Sequence, residues 1–224
     1  MSDAVVASLW LSLRVSVLAT ALNALIGIPV AYLLAKRRIW GRPVLDLVVT
    51  LPLVLPPTVT GYYLIVLFGR QGLLGAPLYE LTGWTVAFTW YAAVIAATVM
   101  AFPLTVHPAR AAIEAVNPDL ERAAFTLGRS EWRTALEVTL PVARRGIIAG
   151  LFLAFARALG EFGATLMIAG NIPGRTTTVP LAIYTAVSTG ERVEAQVLVV
   201  LLTALSCLVV VVANRLGGAR AAGP

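Results

Sequence analysis

LERAAFTLGRSEWRTALEVTLP, residues 120–141, decides the fold, because it is polar, charged and helix-prone inside a chain that is otherwise apolar. Asn117-Pro118-Asp119 just before it makes a good helix start, with Asn as N-cap, Pro at the first helical position and an acid in the first turn. The helix is expected to run to about Leu127, where Gly128 breaks it and Ser130-Glu131 caps a second short helix. The stretch 117–141 therefore reads as a helix–turn–helix elbow joining two membrane spans. Ala123 and Ala124 give its first helix a bald face that another protein's surface can approach closely.

The rest of the chain sets the medium. Of 224 residues, 59% are hydrophobic and 12% charged, and mean hydropathy is +0.87. A soluble domain carries roughly 25% charged residues, so this is an all-α integral membrane protein in contact with lipid. A net charge of +6 invites a nucleic-acid reading. The basic residues sit beside apolar spans instead, where membrane topology places them, so no nucleic acid is expected. One cysteine, Cys207, and one histidine, His107, leave no disulfide framework and no histidine cluster. No metal or cofactor is expected. The N-terminus carries Asp3, no early Lys or Arg and an apolar run too long for a cleavable signal core. Residues 1–224 read as a single domain without low-complexity linker or internal repeat.

Five spans are expected, at about 9–35, 44–68, 84–102, 146–169 and 195–213, each near the roughly 20 residues that a crossing helix needs. The third is expected to continue as helix past Pro103 to Glu114. Loops are expected at 69–83 and 170–194, the second with a short dipping helix at 183–187. Arg14 is expected to snorkel beside Trp10. One side of the membrane then holds Lys36, Arg37, Arg38, Arg42, Arg110, Arg122, Arg129, Arg133, Arg144, Arg145, Arg215 and Arg220; the other holds Arg70, Arg175 and Arg192. The excess puts the elbow and C-terminus in the cytoplasm and the N-terminus outside.

Inside the second span, Pro52, Pro56, Pro57 and Gly61 bend the helix and free backbone carbonyls, with Thr58 and Thr60 nearby. Such breaks survive only where protein or a water-filled cavity satisfies those groups. A polar pathway wall and a kinked packing helix both fit. In the fourth span Gly146, Gly150, Ala154, Ala158 and Phe162 recur every four residues, so much of one face is small, and Gly160 and Gly163 add close-packing positions. Arg157 and Glu161 are i, i+4 neighbours and read as an ion pair, because either charge alone costs about 2.5–3.5 kcal/mol on insertion scales. Structural or gating roles suit this pair better than direct substrate binding. The outer loop from Asn171 offers Arg175 and the hydroxyls of Thr176–Thr178, either as oxyanion donors or as an ordinary capped turn.

No Gly-rich stretch precedes a Lys-Ser/Thr pair, and the single lysine, Lys36, lies in YLLAKRR, so this chain should not hydrolyse ATP. No nucleophile or metal set suggests an enzyme. Five helices are few to line a path while shielding it from lipid, so a homodimer is the natural arrangement. The elbow then needs a cytoplasmic partner.

The elbow resembles the cytoplasmic coupling loop of ABC-importer permeases, whose pattern is Glu-Ala-Ala, three residues, Gly, nine residues, Ile-x-Leu-Pro. Ala123, Ala124, Gly128, Leu140 and Pro141 fall on it in register. Arg122 stands where the Glu belongs, Glu121 comes one residue early, and Val138 replaces Ile. The resemblance extends to DLVVTLPLVLPPTVTGYYL (46–64), LGEFGAT (159–165) and NIPGRTTTVPLAIY (171–184), which look like segments of molybdate-importer permeases. It implies a type I (MetI-like) importer permease fold in a bacterial inner membrane. It also implies pairing with a second copy, with two ABC ATPase subunits and with a soluble oxyanion-binding protein outside. ATP-driven movement of the elbow would swing the pathway between inward-open and outward-open. By this resemblance Glu121, Arg122, Ala123, Ala124, Leu127, Gly128, Leu140 and Pro141 form the coupling loop. Pro56, Pro57, Thr58, Thr60, Gly61, Arg157, Glu161, Gly163 and Thr165 are expected in the pathway or its gate. The rivals are a permease for tungstate, sulfate or thiosulfate, and an autonomous channel or secondary transporter.

Overall fold

A backbone in lipid must satisfy its own polar groups, and an apolar run does so most simply as a helix. The computed structural model describes residues 3–37 and 40–217, and the regular elements among them are helical. Arg38 and Arg220 of the basic set lie outside the described residues. Among the described residues, four helices are long and apolar enough to cross a membrane: Asp3–Lys36 (α1), Trp90–Glu114 (α5), Glu131–Leu159 and Arg192–Ala213. The third of these is composite. It joins α7 (Glu131–Thr134), a π-helical turn (Ala135–Thr139) and α8 (Leu140–Leu159). The fourth belongs to α11 (Arg192–Gly217).

The span expected at 44–68 is divided. Helix α2 (Arg42–Val54) stops before Leu55 and Pro56, whose ψ angles of 143° and 137° are extended, and α3 (Pro57–Phe68) restarts the chain. Two adjacent prolines explain the gap. Neither has an N–H to give to the preceding turn, and each pushes the residue before it out of the helical region. The span expected at 146–169 is also divided: α8 ends at Leu159 and α9 covers Gly163–Ala169. Sequence led to five crossings; by length and composition four helices qualify.

Smaller differences follow from local chemistry. The stretch 69–83 carries a helix, α4 (Gly75–Thr82), closed by Gly83 at φ 68°. Helix α5 begins at Trp90 rather than at residue 84, because the Thr89 hydroxyl accepts from the Ala92 N–H and caps it. The dipping helix is longer than expected, α10 at Val179–Thr189.

Helices α1, α5 and α8 form the core, largely through small side chains. Ala19, Ala93, Ala97, Ala101, Ala154 and Ala158 are buried together. Small residues let these helix backbones approach each other. A Cβ on Gly27 would lie 3.1 Å from Thr105 Cγ2, and one on Gly150 would lie 3.2 Å from the Thr105 carbonyl oxygen. The small face of the fourth span is thus consumed against α5 within the chain. Arg14 does not pair with Trp10; its guanidinium lies 3.8 Å from the centre of the Trp90 ring, a cation–π contact between α1 and α5.

Candidate functional site

The elbow forms as its caps dictate. Asn117 Oδ1 accepts from the Asp119 N–H at 2.9 Å and starts α6 (Pro118–Thr126). Leu127 is the C-cap and Gly128 follows at φ 76°. The Gly128 N–H donates to Phe125 O and the Arg129 N–H to Ala124 O, at 3.0 and 3.1 Å. That pair of bonds is a Schellman stop, which requires the left-handed residue that glycine supplies. The Ser130 hydroxyl accepts from the Arg133 N–H and caps α7. The second helix is not a separate short one. It runs through the π turn into α8, and the Leu140 N–H reaches back to Ala135 O. Pro141 accounts for the widening, since a tight α-turn would press its ring on the carbonyl four residues back.

Ala123 and Ala124 do not share a bald face, because Ala124 is buried and Ala123 is exposed. Consecutive helical positions point about 100° apart. The exposed side of the elbow instead carries large apolar side chains among its charges: Phe125 is 47% exposed, Leu127 82% and Trp132 70%. Leu140 is half-buried and Pro141 exposed.

Two neighbouring charged residues of α6 differ in fate. Arg122, in the place of the family Glu, points out and pairs with Asp119 at 3.0 Å, both side chains being about three-quarters exposed. Glu121 turns inward. Its Oε2 lies 2.9 Å from Lys36 Nζ and its Oε1 accepts from the Thr139 hydroxyl at 2.6 Å. Arg37 pairs with Glu131 at 2.9 Å on the exposed side of the same junction. Sequence reasoning missed Lys36 and Thr139 as partners; the single lysine of the chain was the available hint. It also missed the seam between α2 and α5. There Arg110 bridges Asp46 and Glu114, at 3.0 and 2.9 Å. Thr50 Oγ1 lies 3.2 Å from His107 Nε2. The Thr50 hydroxyl also donates to Asp46 O at 2.8 Å.

The two breaks within the apolar helices meet. A Cβ on Gly163 would lie 2.9 Å from Pro57 Cβ, and one on Gly61 would lie 2.7 Å from Met167 Cβ and 2.9 Å from Ala164 Cα. Helices α3 and α9 are therefore in backbone contact just past their breaks. Pro56, Pro57 and Thr58 are exposed; Thr60, Gly61, Gly163 and Thr165 are buried. The Thr60 hydroxyl has no hydrogen-bond partner among the described residues.

Arg157 and Glu161 do not sit on one continuous helix. Glu161 lies in the break, buried, and its Oε1 accepts from the Ala164 N–H at 2.8 Å, which starts α9. Its Oε2 lies 2.7 Å from Arg157 Nη1 as an ion pair off the line of an aligned hydrogen bond. One carboxylate thus ties the last turn of α8, through Arg157, to the first turn of α9. In the loop before α10, Thr176 Oγ1 accepts from the Ile172 N–H and Thr177 donates to Asn171 Oδ1, so these two hydroxyls are engaged in the turn itself, while the buried Thr178 hydroxyl has no partner among the described residues. Cys207 is exposed on α11.

The model of the family described as "Binding-protein-dependent transport system inner membrane component" matches residues 27–221. The Molybdenum transport system permease protein ModB of Escherichia coli is 50% identical over 192 residues, 85% of this chain and 84% of that one. Its counterpart in Haemophilus influenzae is 45% identical over 184 residues, 82% of this chain and 80% of that one. Among solved structures, an inward-facing methionine ABC transporter, MetNI, superposes with a TM-score of 0.76 at 18% identity, covering 97% of this chain and 98% of that one. The last likeness speaks for the fold alone, that of an ABC-importer permease.

Proposed function

Because the chain belongs to the binding-protein-dependent transport system inner membrane components, we propose that it is the permease subunit of an ATP-driven molybdate importer. The observation that carries this reading is the half-identity with the Escherichia coli molybdenum permease, sustained over most of both chains.

In this reading residues 1–224 form one permease domain, and two copies enclose the pathway. Five crossings serve each copy, with the broken pair α2–α3 as the second. The N-terminus faces outward, and the elbow and C-terminus face the cytoplasm. The bias of basic residues supports that orientation. The elbow, with Glu121, Arg122, Ala123, Ala124, Leu127, Gly128, Leu140 and Pro141, docks on an ABC ATPase subunit. Phe125, Leu127 and Trp132 support this, since they expose an apolar patch beside a network of ion pairs. A binding protein delivers the oxyanion from the other side.

The pathway gate is the meeting of the two breaks. Pro56, Pro57, Thr58, Thr60, Gly61, Gly163 and Thr165 form its seam, and Arg157 with Glu161 holds the second break in shape. Glycine-tight packing gives α3 and α9 a small set of allowed arrangements, which suits a switch between two states more than a graded opening. The charge of Glu161 is neutralised by Arg157, so it does not oppose an anion.

The test is uptake by vesicles holding the permease, its ATPase and its binding protein. Molybdate should accumulate only with all three and ATP. Uptake by vesicles holding this chain alone would support an autonomous transporter instead. Competition with tungstate, sulfate and thiosulfate separates the oxyanion alternatives.

A further inference from the structure

The elbow is joined by the chain to α5 on one side and α8 on the other, yet its best-shielded ion pair goes to neither. It goes to the end of α1. Lys36 is the last residue of α1 and the only lysine of the protein. Its side chain is 17% exposed and that of Glu121 is 15% exposed, in a region where the other ion pairs are far more open to solvent. Shielding strengthens the attraction and makes a lone partner costly. The second oxygen of the same carboxylate holds Thr139, which is fully buried at the end of the π turn. Three elements therefore close on one carboxylate: α1, α6 and the entrance to α8.

Helix α1 is also fastened near its far end. The buried Ser12 hydroxyl accepts from the Val179 N–H at 2.7 Å and satisfies the first N–H of α10, whose own cap residue, Thr178, makes no side-chain cap bond. A helix of 34 residues, with Pro29 inside it, thus carries one specific bond to the elbow at Lys36 and another to the start of α10 at Ser12.

We propose that Lys36, Glu121 and Thr139 form a latch that makes α1 part of the moving unit. A push on the elbow is carried to α1, and through it toward α10, as well as into α8. Glu121, displaced by one residue from the family position, is the positioning residue of this latch, and Arg122, paired with Asp119, faces outward toward the partner surface. The proposal rests on the importer reading above.

The experiment uses the complete complex in vesicles and reads molybdate moved per ATP hydrolysed. Lys36→Met removes the charge and keeps the stem; the ratio should fall at least fivefold. Exchange of the charges, Lys36→Glu with Glu121→Lys, should recover most of it. Thr139→Val keeps both charges and should give a smaller fall, and it serves as the decisive variant if Lys36→Met does not assemble. In a Cys207→Ser background, the pair Lys36→Cys with Glu121→Cys should move less molybdate per ATP than the unaltered complex, and joining the two thiols by a short bismaleimide should raise the ratio above that of the unjoined pair, because the joined parts then move together. Unchanged ratios in both Lys36→Met and Thr139→Val, or arrest of transport by the cross-link, would overturn the latch. Absence of ATP-dependent uptake in the unaltered complex would instead overturn the importer reading beneath it.

Discussion

The elbow and the paired breaks both interrupt helices, and they are held in opposite ways. At the elbow, side chains do the holding: Asn117 and Ser130 cap, Glu121 and Glu131 pair with the end of α1, and apolar side chains stay exposed. At the breaks the backbones themselves touch, through Gly61 against Ala164 and Gly163 against Pro57, with Glu161 as the one buried charge. Water can replace a lost contact at the first site and has little access to the second. A substitution at the breaks should therefore act on folding and assembly, whereas one at the elbow should act on the transmission of work while the protein still assembles.

The largest effect is expected from Arg157→Ala. It strands a buried carboxylate, and losing one partner of such a pair costs about 3–5 kcal/mol, toward the lower end here because Arg157 is 27% exposed. The yield of folded protein in mild detergent should collapse. Adding Glu161→Gln should recover most of it, since glutamine carries no charge yet can still accept from the Ala164 N–H. Equal stability of the single and double variants would show that no pair exists. Gly61→Val comes next. Its Cβ would press on Met167 and on the backbone of Ala164, and such overpacking costs about 1–3 kcal/mol. A lowered melting temperature with normal transport per ATP in the surviving fraction is expected. Reduced transport per ATP at full stability would break the contrast.

The contrast also explains what could be read from residues alone. Caps are local chemistry, so Asn117-Pro118, Gly128 and Ser130 announced the elbow with its boundaries nearly right. The proline pair announced a bend at 56–57 but not a full division into two helices. The second break was not legible. Gly160 and Gly163 read as packing residues, and Arg157 with Glu161 fits an unbroken helix, because four residues span a similar distance across this break. Nor could spacing show that the small face of α8 is used up against α5, or that Glu121 rather than its neighbour turns inward, since both depend on helices distant in sequence.

Gly128→Val probes the elbow. Nothing lies within 4 Å of a Cβ there, so crowding is not the issue; φ 76° is. A non-glycine residue in that region costs about 1–3 kcal/mol, with branched side chains the worst. The strain can be relieved by reshaping the exposed turn, so assembly should hold while molybdate moved per ATP falls several-fold. Gly128→Asn, which tolerates the left-handed region, should fall less. Normal transport by the valine variant would remove the elbow from the mechanism.

The smallest effect is expected from Asn117→Ala. The lost bond is the one from the Asp119 N–H to Asn117 Oδ1, and an N-cap of this kind contributes about 1 kcal/mol. Three features soften the loss. Pro118 has no N–H to satisfy, Asp119 and Glu121 still favour the helix start through their charge, and the Glu121 carboxylate remains tied to Lys36 and Thr139. Amide exchange should quicken over residues 119–122, with transport per ATP changed less than twofold. If Asn117→Ala instead impairs transport as much as Gly128→Val, the entrance of α6 governs the elbow's shape rather than the glycine turn and the latch behind it. The side-chain ties at the elbow would then be as unforgiving as the glycine contacts at the breaks.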